Sequence, residues 1–178
     1  MLSDNDEIPN LNSKQLINNK NSIVLFNQLF IYFKFNLLYD KMIWPGTKGC
    51  SMKKLKSLSW LRNIKLKKYP FWRLDTLFSE NKYIDINVIQ DGGWHFTNLK
   101  TPEEMYEKFM NFGHHDEFRL SGLTIEKIRE KIKNQEMFYD HFADKSSNNK
   151  WESDYKLKVI GDEMLPSYLI KNKNKYRE

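Results

Sequence analysis

The stretch from Ile23 to Tyr39 constrains this chain most. Ile23, Val24, Phe26, Phe30, Ile31, Tyr32, Phe33 and Phe35 are β-branched or aromatic, types that suit a pleated, half-buried surface. Asn27, Gln28, Lys34 and Asn36 interrupt the run, which makes it too broken for a membrane span and better suited to a sheet. One long strand is expected, or two strands meeting at a kink near Asn27. Tyr83 to Ile89 alternates apolar and polar residues as a half-buried strand does, with Gly92-Gly93 ending it. Tyr155 to Ile160 reads as a further short strand.

Helices are signalled by caps. Thr101, Pro102 and Glu104 form the pattern of N-cap, N1 proline and capping box. Met105, Phe109 and Phe112 follow at helical spacing and predict a core face. A second helix is expected after Thr124, with Ile125, Ile128 and Ile132 along one side. Shorter helices are expected over Ser13–Asn19, in the first half of the basic stretch Lys53–Lys68, and after Pro166. Trp44-Pro45-Gly46-Thr47-Lys48-Gly49 reads as a loop, since a proline and two glycines punctuate regular structure. Asp144 to Asn149 reads as a polar loop. The fold class that follows is mixed α/β, with strands early and helices late.

At 178 residues, 40% of them hydrophobic, the chain can build a core as one domain or as a piece of a larger one. The single Cys50 excludes an intramolecular disulfide and is natural in a reducing compartment. Residues 1–10 are polar and acidic and lack a secretory pattern, so the chain as given is expected to be cytoplasmic, with no membrane segment. The formal charge of +6 suits an anionic ligand such as a nucleotide diphosphate or a nucleic acid, and equally an ordinary basic surface. Lys53, Lys54, Lys56, Arg62, Lys65, Lys67 and Lys68 cluster around Trp60 and would suit a phosphate backbone. No helix-turn-helix, zinc-finger or ribonucleoprotein signature accompanies them, so nucleic acid is not the expected partner.

Chemistry concentrates in two short segments. Asp4-Asn5-Asp6, extended by Glu7, holds two carboxylates one residue apart, which can converge on a hard divalent cation. Asp91 to Phe96 reads DGGWHF. Its glycine pair permits a sharp turn or a close approach, Trp94 offers a flat face to a sugar ring, and His95 offers an imidazole for a metal or a phosphate. A solvated acidic terminus, a core tryptophan and a hydrogen-bonded filler histidine are the ordinary alternatives.

Longer strings carry a resemblance. SDNDEIP (residues 3–9), WPGTKGCSMKKL (44–55), GGWHF (92–96), FGHHDEF (112–118) and DEMLPSYLIKNKNKYRE (162–178) resemble, in order, five segments of glycosyltransferase family 17. This is the β-1,4-mannosyl-glycoprotein β-1,4-N-acetylglucosaminyltransferase family. The resemblance covers essentially all of residues 1–178 as a single, partial transferase domain. It implies a partial GT-A-like nucleotide-diphosphosugar transferase fold, a mixed sheet flanked by helices with its N-terminal strands missing. Members carry a substantial region before the S-D-x-D-E-I-P segment, so a truncated or separately encoded N-terminal half is expected. Animal relatives are Golgi membrane proteins.

The implied reaction moves N-acetylglucosamine from UDP-GlcNAc to a hydroxyl of a glycan acceptor, with inversion, assisted by Mn²⁺ or Mg²⁺. The resemblance assigns Asp4, Asp6 and, by analogy with other GT-A enzymes, His95 to the metal. Lys48 and Trp94 would contact the nucleotide sugar. Such a transfer needs a carboxylate base within reach of the acceptor, and Glu117 is the first candidate, Asp91 the second. A non-catalytic remnant, or a carbohydrate-binding or assembly subunit, is the alternative.

Overall fold

The computed structural model describes residues 1–19, 23–66, 70, 72–76, 78–80, 86–111, 113, 115–143 and 148–176. The fold is mixed α/β, with a six-stranded mixed sheet and several helices. Its strands are β1 (Glu7–Pro9), β2 (Ile23–Tyr32), β3 (Leu37–Cys50), β4 (Ile86–Ile89), β5 (Gly93–Thr97) and β6 (Lys158–Val159). They run in the order β1-β5-β2-β3-β6, with β4 parallel to the Ile23–Phe26 half of β2. The chain separates into two compact units, one comprising Met1–Phe30 with Met42–His95, the other Ile31–Lys41 with Phe96–Glu178. Among the described residues, no helix is long and apolar enough to cross a membrane.

In the first unit, β2 is mostly buried over Ile23–Phe30, as suits a central strand. Val24, Phe26 and Ile89 form one core cluster, with Leu16 of helix α1 (Lys14–Ile17) packed on it. Ile23, Leu61 and Ile64 form another, joining β2 to helix α2 (Leu58–Asn63). The basic stretch is a single 3₁₀ turn at Met52–Lys54 followed by α2, a later start than its composition suggests. Ser57 sets that start by accepting the Trp60 amide.

The stretch from Ile23 to Tyr39 is neither one long strand nor two meeting at a kink near Asn27. β2 runs through Asn27, whose carbonyl accepts the Gly92 amide at 2.9 Å. The chain turns after Tyr32 instead, where Phe33 takes a left-handed backbone (φ 65°) and the Leu37 amide closes onto the Lys34 carbonyl. The expected loop at 44–49 is also a strand, since β3 continues unbroken to Cys50. Its far end is held by Leu2, which exchanges both backbone hydrogen bonds with Lys48 at 2.7 and 3.0 Å. Pro45 is exposed on this strand. Gly46 leaves room for the buried Gln28 side chain, whose oxygen would lie 2.1 Å from a β-carbon at that position.

The second unit is built on aromatic packing. Helix α3 (Pro102–Met110) carries the complete capping box, with Thr101 accepting from the Glu104 amide at 3.2 Å and Glu104 accepting from the Thr101 amide at 3.0 Å. It packs against α4 (His115–Leu120) and α5 (Ile125–Lys133). Phe109, Phe118, Phe138 and Trp151 meet with ring centroids 5.2–6.4 Å apart, mostly tilted or edge-on, the arrangements their quadrupoles favour. Met105 and Ile128 are fully buried, as their helical spacing predicts. Phe112 lies outside the described residues, as do Tyr83, Ile84 and Asp144 to Ser147. The start of β3 pairs antiparallel with β6 through Leu37–Val159 and Leu38–Lys158. Pro166 stands at the N-cap position of α6 (Ser167–Lys171), and α7 (Lys173–Tyr176) follows it.

Candidate functional site

Two segments nearly ninety residues apart in sequence become neighbouring strands. β1 pairs antiparallel with β5, setting Glu7 opposite His95, Ile8 opposite Trp94 and Pro9 opposite Gly93. The glycine pair makes this possible. A β-carbon on Gly92 would lie 2.5 Å from the Asn27 carbonyl oxygen, and one on Gly93 would lie 2.1 Å from that of Ile8. Gly93 also has φ +109°, a backbone that side chains disfavour. Only glycine admits both the turn out of β4 and the close strand beside β1.

That register brings Asp6 to His95, with carboxylate oxygen and Nδ1 3.7 Å apart. His95 is buried, and its ring lies nearly parallel to the Trp44 indole, centroids 4.3 Å apart and planes 12° from parallel. Phe30 stacks on both rings at 5.1 and 5.4 Å. The imidazole orientation is thereby fixed by packing, with its Nδ1 edge on the Asp6 side.

Glu7 organises the neighbouring wall. Its carboxylate accepts from Trp44 Nε1 at 2.8 Å, from Thr47 Oγ1 at 3.2 Å and from the Asp4 amide at 3.2 Å. Ser3 bonds the Thr47 hydroxyl, and buried Gln28 donates to the same oxygen at 3.3 Å. Around this group lies a cavity of about 180 Å³, lined by Ser3, Asp4, Glu7, Trp44, Lys48 and Arg62 among others. Two carboxylates and two cations therefore border one small polar pocket.

Each expected site residue has a definite place. Asp4 faces Arg62 at 3.5 Å. Lys48 lines the pocket, while its ammonium donates to the Arg62 and Ile64 carbonyls at 2.6 and 3.0 Å, tying off the end of α2. Burial, followed by the nearby Lys65 charge, pulls the Lys48 pKa below its ordinary value. Asp91 accepts from the Ser13 hydroxyl at 2.5 Å, next to the start of α1. Trp94 is half-buried in β5. Glu117 belongs to the second unit, on α4, where it forms an ion pair with buried Lys150. His115 stands 3.3 Å from Asp116.

The donor set at Asp6 and His95 suits a borderline-hard divalent ion, being one carboxylate and one imidazole. Their 3.7 Å separation fits two ligands of a single ion, since bonds of roughly 2.1 Å put adjacent donors about 3–4 Å apart. Asp4 faces Arg62 rather than this pair, and no group of three or more His, Cys, Asp or Glu among the described residues is arranged around an ion.

Sequence reasoning missed Glu7 as the hub, and Trp44, Thr47 and Arg62 as its surroundings. Glu7 was visible as the extension of the Asp-x-Asp pair. Trp44 and Thr47 sit inside the segment read as a loop, and only strand alternation over Gly46–Cys50, with Thr47 and Gly49 buried, would have marked their facing. No protein-family model, curated protein or solved structure matches this chain.

Proposed function

We propose that the chain is the C-terminal catalytic part of a metal-dependent, inverting glycosyltransferase resembling family 17, with a partial GT-A-like fold. It would move N-acetylglucosamine from UDP-GlcNAc to a hydroxyl of a glycan acceptor. The observation that carries the reading is the β1–β5 register, in which the SDNDEIP and GGWHF segments pair and Asp6 meets His95. The WPGTKG segment reaches the adjoining Glu7 through Trp44 and Thr47, and the His95 ring through Trp44, while Lys48 lines the pocket beside Glu7. Three of the five segments that resemble the family thus share one corner of one unit, which random likeness would not require.

In this reading Asp6 and His95 hold Mn²⁺ or Mg²⁺, which when bound supplies Lewis-acid neutralisation of the diphosphate leaving group. Arg62 adds a fixed positive charge at the pocket rim, suited to phosphate oxygens. Lys48 braces the wall through its two carbonyl contacts rather than acting as the main phosphate ligand. Glu7 orients Trp44, whose indole in turn fixes the His95 ring. Glu117, on α4 and ion-paired with Lys150, remains the first candidate for the acceptor base. Asp91, engaged by Ser13, is the second.

The orientation of Asp4 towards Arg62 favours one alternative, a non-catalytic subunit that binds carbohydrate or nucleotide sugar. A single assay separates the two. The folded chain, incubated with UDP-GlcNAc and Mn²⁺, is expected to release UDP, and Asp6→Ala is expected to lower that rate by at least roughly tenfold. Mn²⁺-dependent UDP binding without turnover selects the non-catalytic subunit. Absence of both from a folded chain sinks the transferase reading.

A further inference from the structure

The charge of this chain is not spread evenly. Residues 52–80 contain eight Lys or Arg against two Asp or Glu, a net +6 equal to the formal charge of the whole protein. The remaining residues balance at 21 basic and 21 acidic. The same segment exposes large apolar side chains to a degree that a solvated surface does not require. Phe78 is 89% exposed, Met52 82% and Trp72 67%, and Leu58, Leu66 and Leu74 are also exposed.

Apolar and basic positions interleave. Met52 precedes Lys53 and Lys54, Lys65 precedes Leu66, and Arg73 separates Trp72 from Leu74. The two arms of the segment are joined, because Trp60 Nε1 donates to the Glu80 carbonyl at 2.9 Å and Lys56 pairs with the Glu80 carboxylate at 2.9 Å. Arg73 is bound bidentately by Asp75, which leaves Lys53, Lys54 and Lys65 as the main uncompensated positive charge among the described residues of the segment.

We propose that segment 52–80 of the first unit docks on an anionic lipid surface. Basic side chains draw the protein to the charged headgroups, and Trp72, Leu74, Phe78, Leu58 and Met52 enter the interface, the two-part attraction typical of peripheral binding. The aliphatic share of the patch decides between a membrane and a nucleic acid. Bases reward aromatic platforms, whereas four of the six exposed apolar residues here are Met or Leu and gain by burial in acyl chains. Trp60, the aromatic at the centre of the lysine cluster, is half-buried and bonded to Glu80.

The test is co-sedimentation of the full chain with vesicles of phosphatidylcholine alone, or with roughly one-third phosphatidylserine. Binding to the anionic vesicles is expected to be at least about tenfold tighter and to weaken as salt rises. The Trp72→Ser/Phe78→Ser double variant should lose roughly tenfold or more with unchanged circular dichroism, both side chains being exposed in the fold. Lys53→Ser and Lys54→Ser should each lose roughly fivefold. Equal binding to both vesicle types, no binding by folded protein, or indifference to the aromatic substitutions overturns the proposal. So does tighter binding to single-stranded RNA than to the anionic vesicles, which would make the patch a nucleic-acid surface.

Discussion

The two units hold their shape by different means. In the first, the distinctive side chains are polar, and a carboxylate, Glu7, is the hub that fixes Trp44, Thr47 and the Asp4 backbone around a pocket. In the second, the hub is a ring cluster of Phe109, Phe118, Phe138 and Trp151, with ion pairs such as Glu117–Lys150 added to it. Dispersion and apolar burial are insensitive to small displacements of charge, so the ring cluster serves the second unit as a scaffold. A carboxylate with three donors holds a specific geometry at a site open to ligands. The proposed metal pair and its neighbouring pocket lie in the first unit, where order comes from directional contacts.

Deleting each hub would break or sharpen this contrast. Phe118 is buried and touches Tyr106, Phe109 and Trp151. Phe118→Ala should cost about 3–5 kcal/mol in urea unfolding, the usual loss for a large core side chain. A cost below about 1 kcal/mol would mean the cluster relaxes to fill the space, and the scaffold description would fail. Glu7→Ala should cost less, about 1.5–3 kcal/mol, as charged hydrogen bonds to Trp44 and Thr47 are lost. Its effect on Mn²⁺-dependent UDP binding should nevertheless be large, because the Trp44 ring that orients His95 is released. Equal losses of stability and of binding in both variants would erase the distinction between the units.

Sequence alone conveyed the local elements well and their meeting poorly. The capping box at Thr101 and the spacing of Met105 and Ile128 are properties of a few adjacent residues, and the structure matches both. The strand at Trp44–Cys50 was hidden because Pro45 and Gly46 signal a loop when read locally. Gly46 instead lies against the side chain of Gln28, a residue eighteen positions away in sequence. The chain reversal at Phe33 was hidden for a similar reason, since a left-handed aromatic residue is held by tertiary packing and carries no turn signature. At the candidate site, Asp6 and His95 could be named from their segments. Their proximity depends on the β1–β5 register, which short-range patterns do not encode.

The smallest expected effect concerns charge within the second unit, and it asks whether any directional contact there matters. Lys131 donates to the Ser153 carbonyl at 3.0 Å, binds Asp154 and stands 3.4 Å from Glu136. Burial pulls the Lys131 pKa down, but the hydrogen bonds and charges of Asp154 and Glu136 outweigh it, and the net shift is upward. The hydrogen bond and charge of Lys131 hold Asp154 below its ordinary value of 3.8. A carboxylate with a lowered folded pKa contributes stability above its unfolded value and loses it as pH falls through the folded one. A lysine with a raised pKa contributes below its unfolded value of 10.5 and loses it as pH rises through the folded one. The pair should therefore stabilise the fold between those limits. Asp154→Asn should lower the melting temperature slightly at neutral pH, and the gap from wild type should narrow as pH drops below 3.8. Because Asp154 is largely exposed, salt should shrink the gap as well. A gap that persists unchanged into acid would assign the loss to the Asn side chain itself, leaving the aromatic cluster as the only measured support of the second unit.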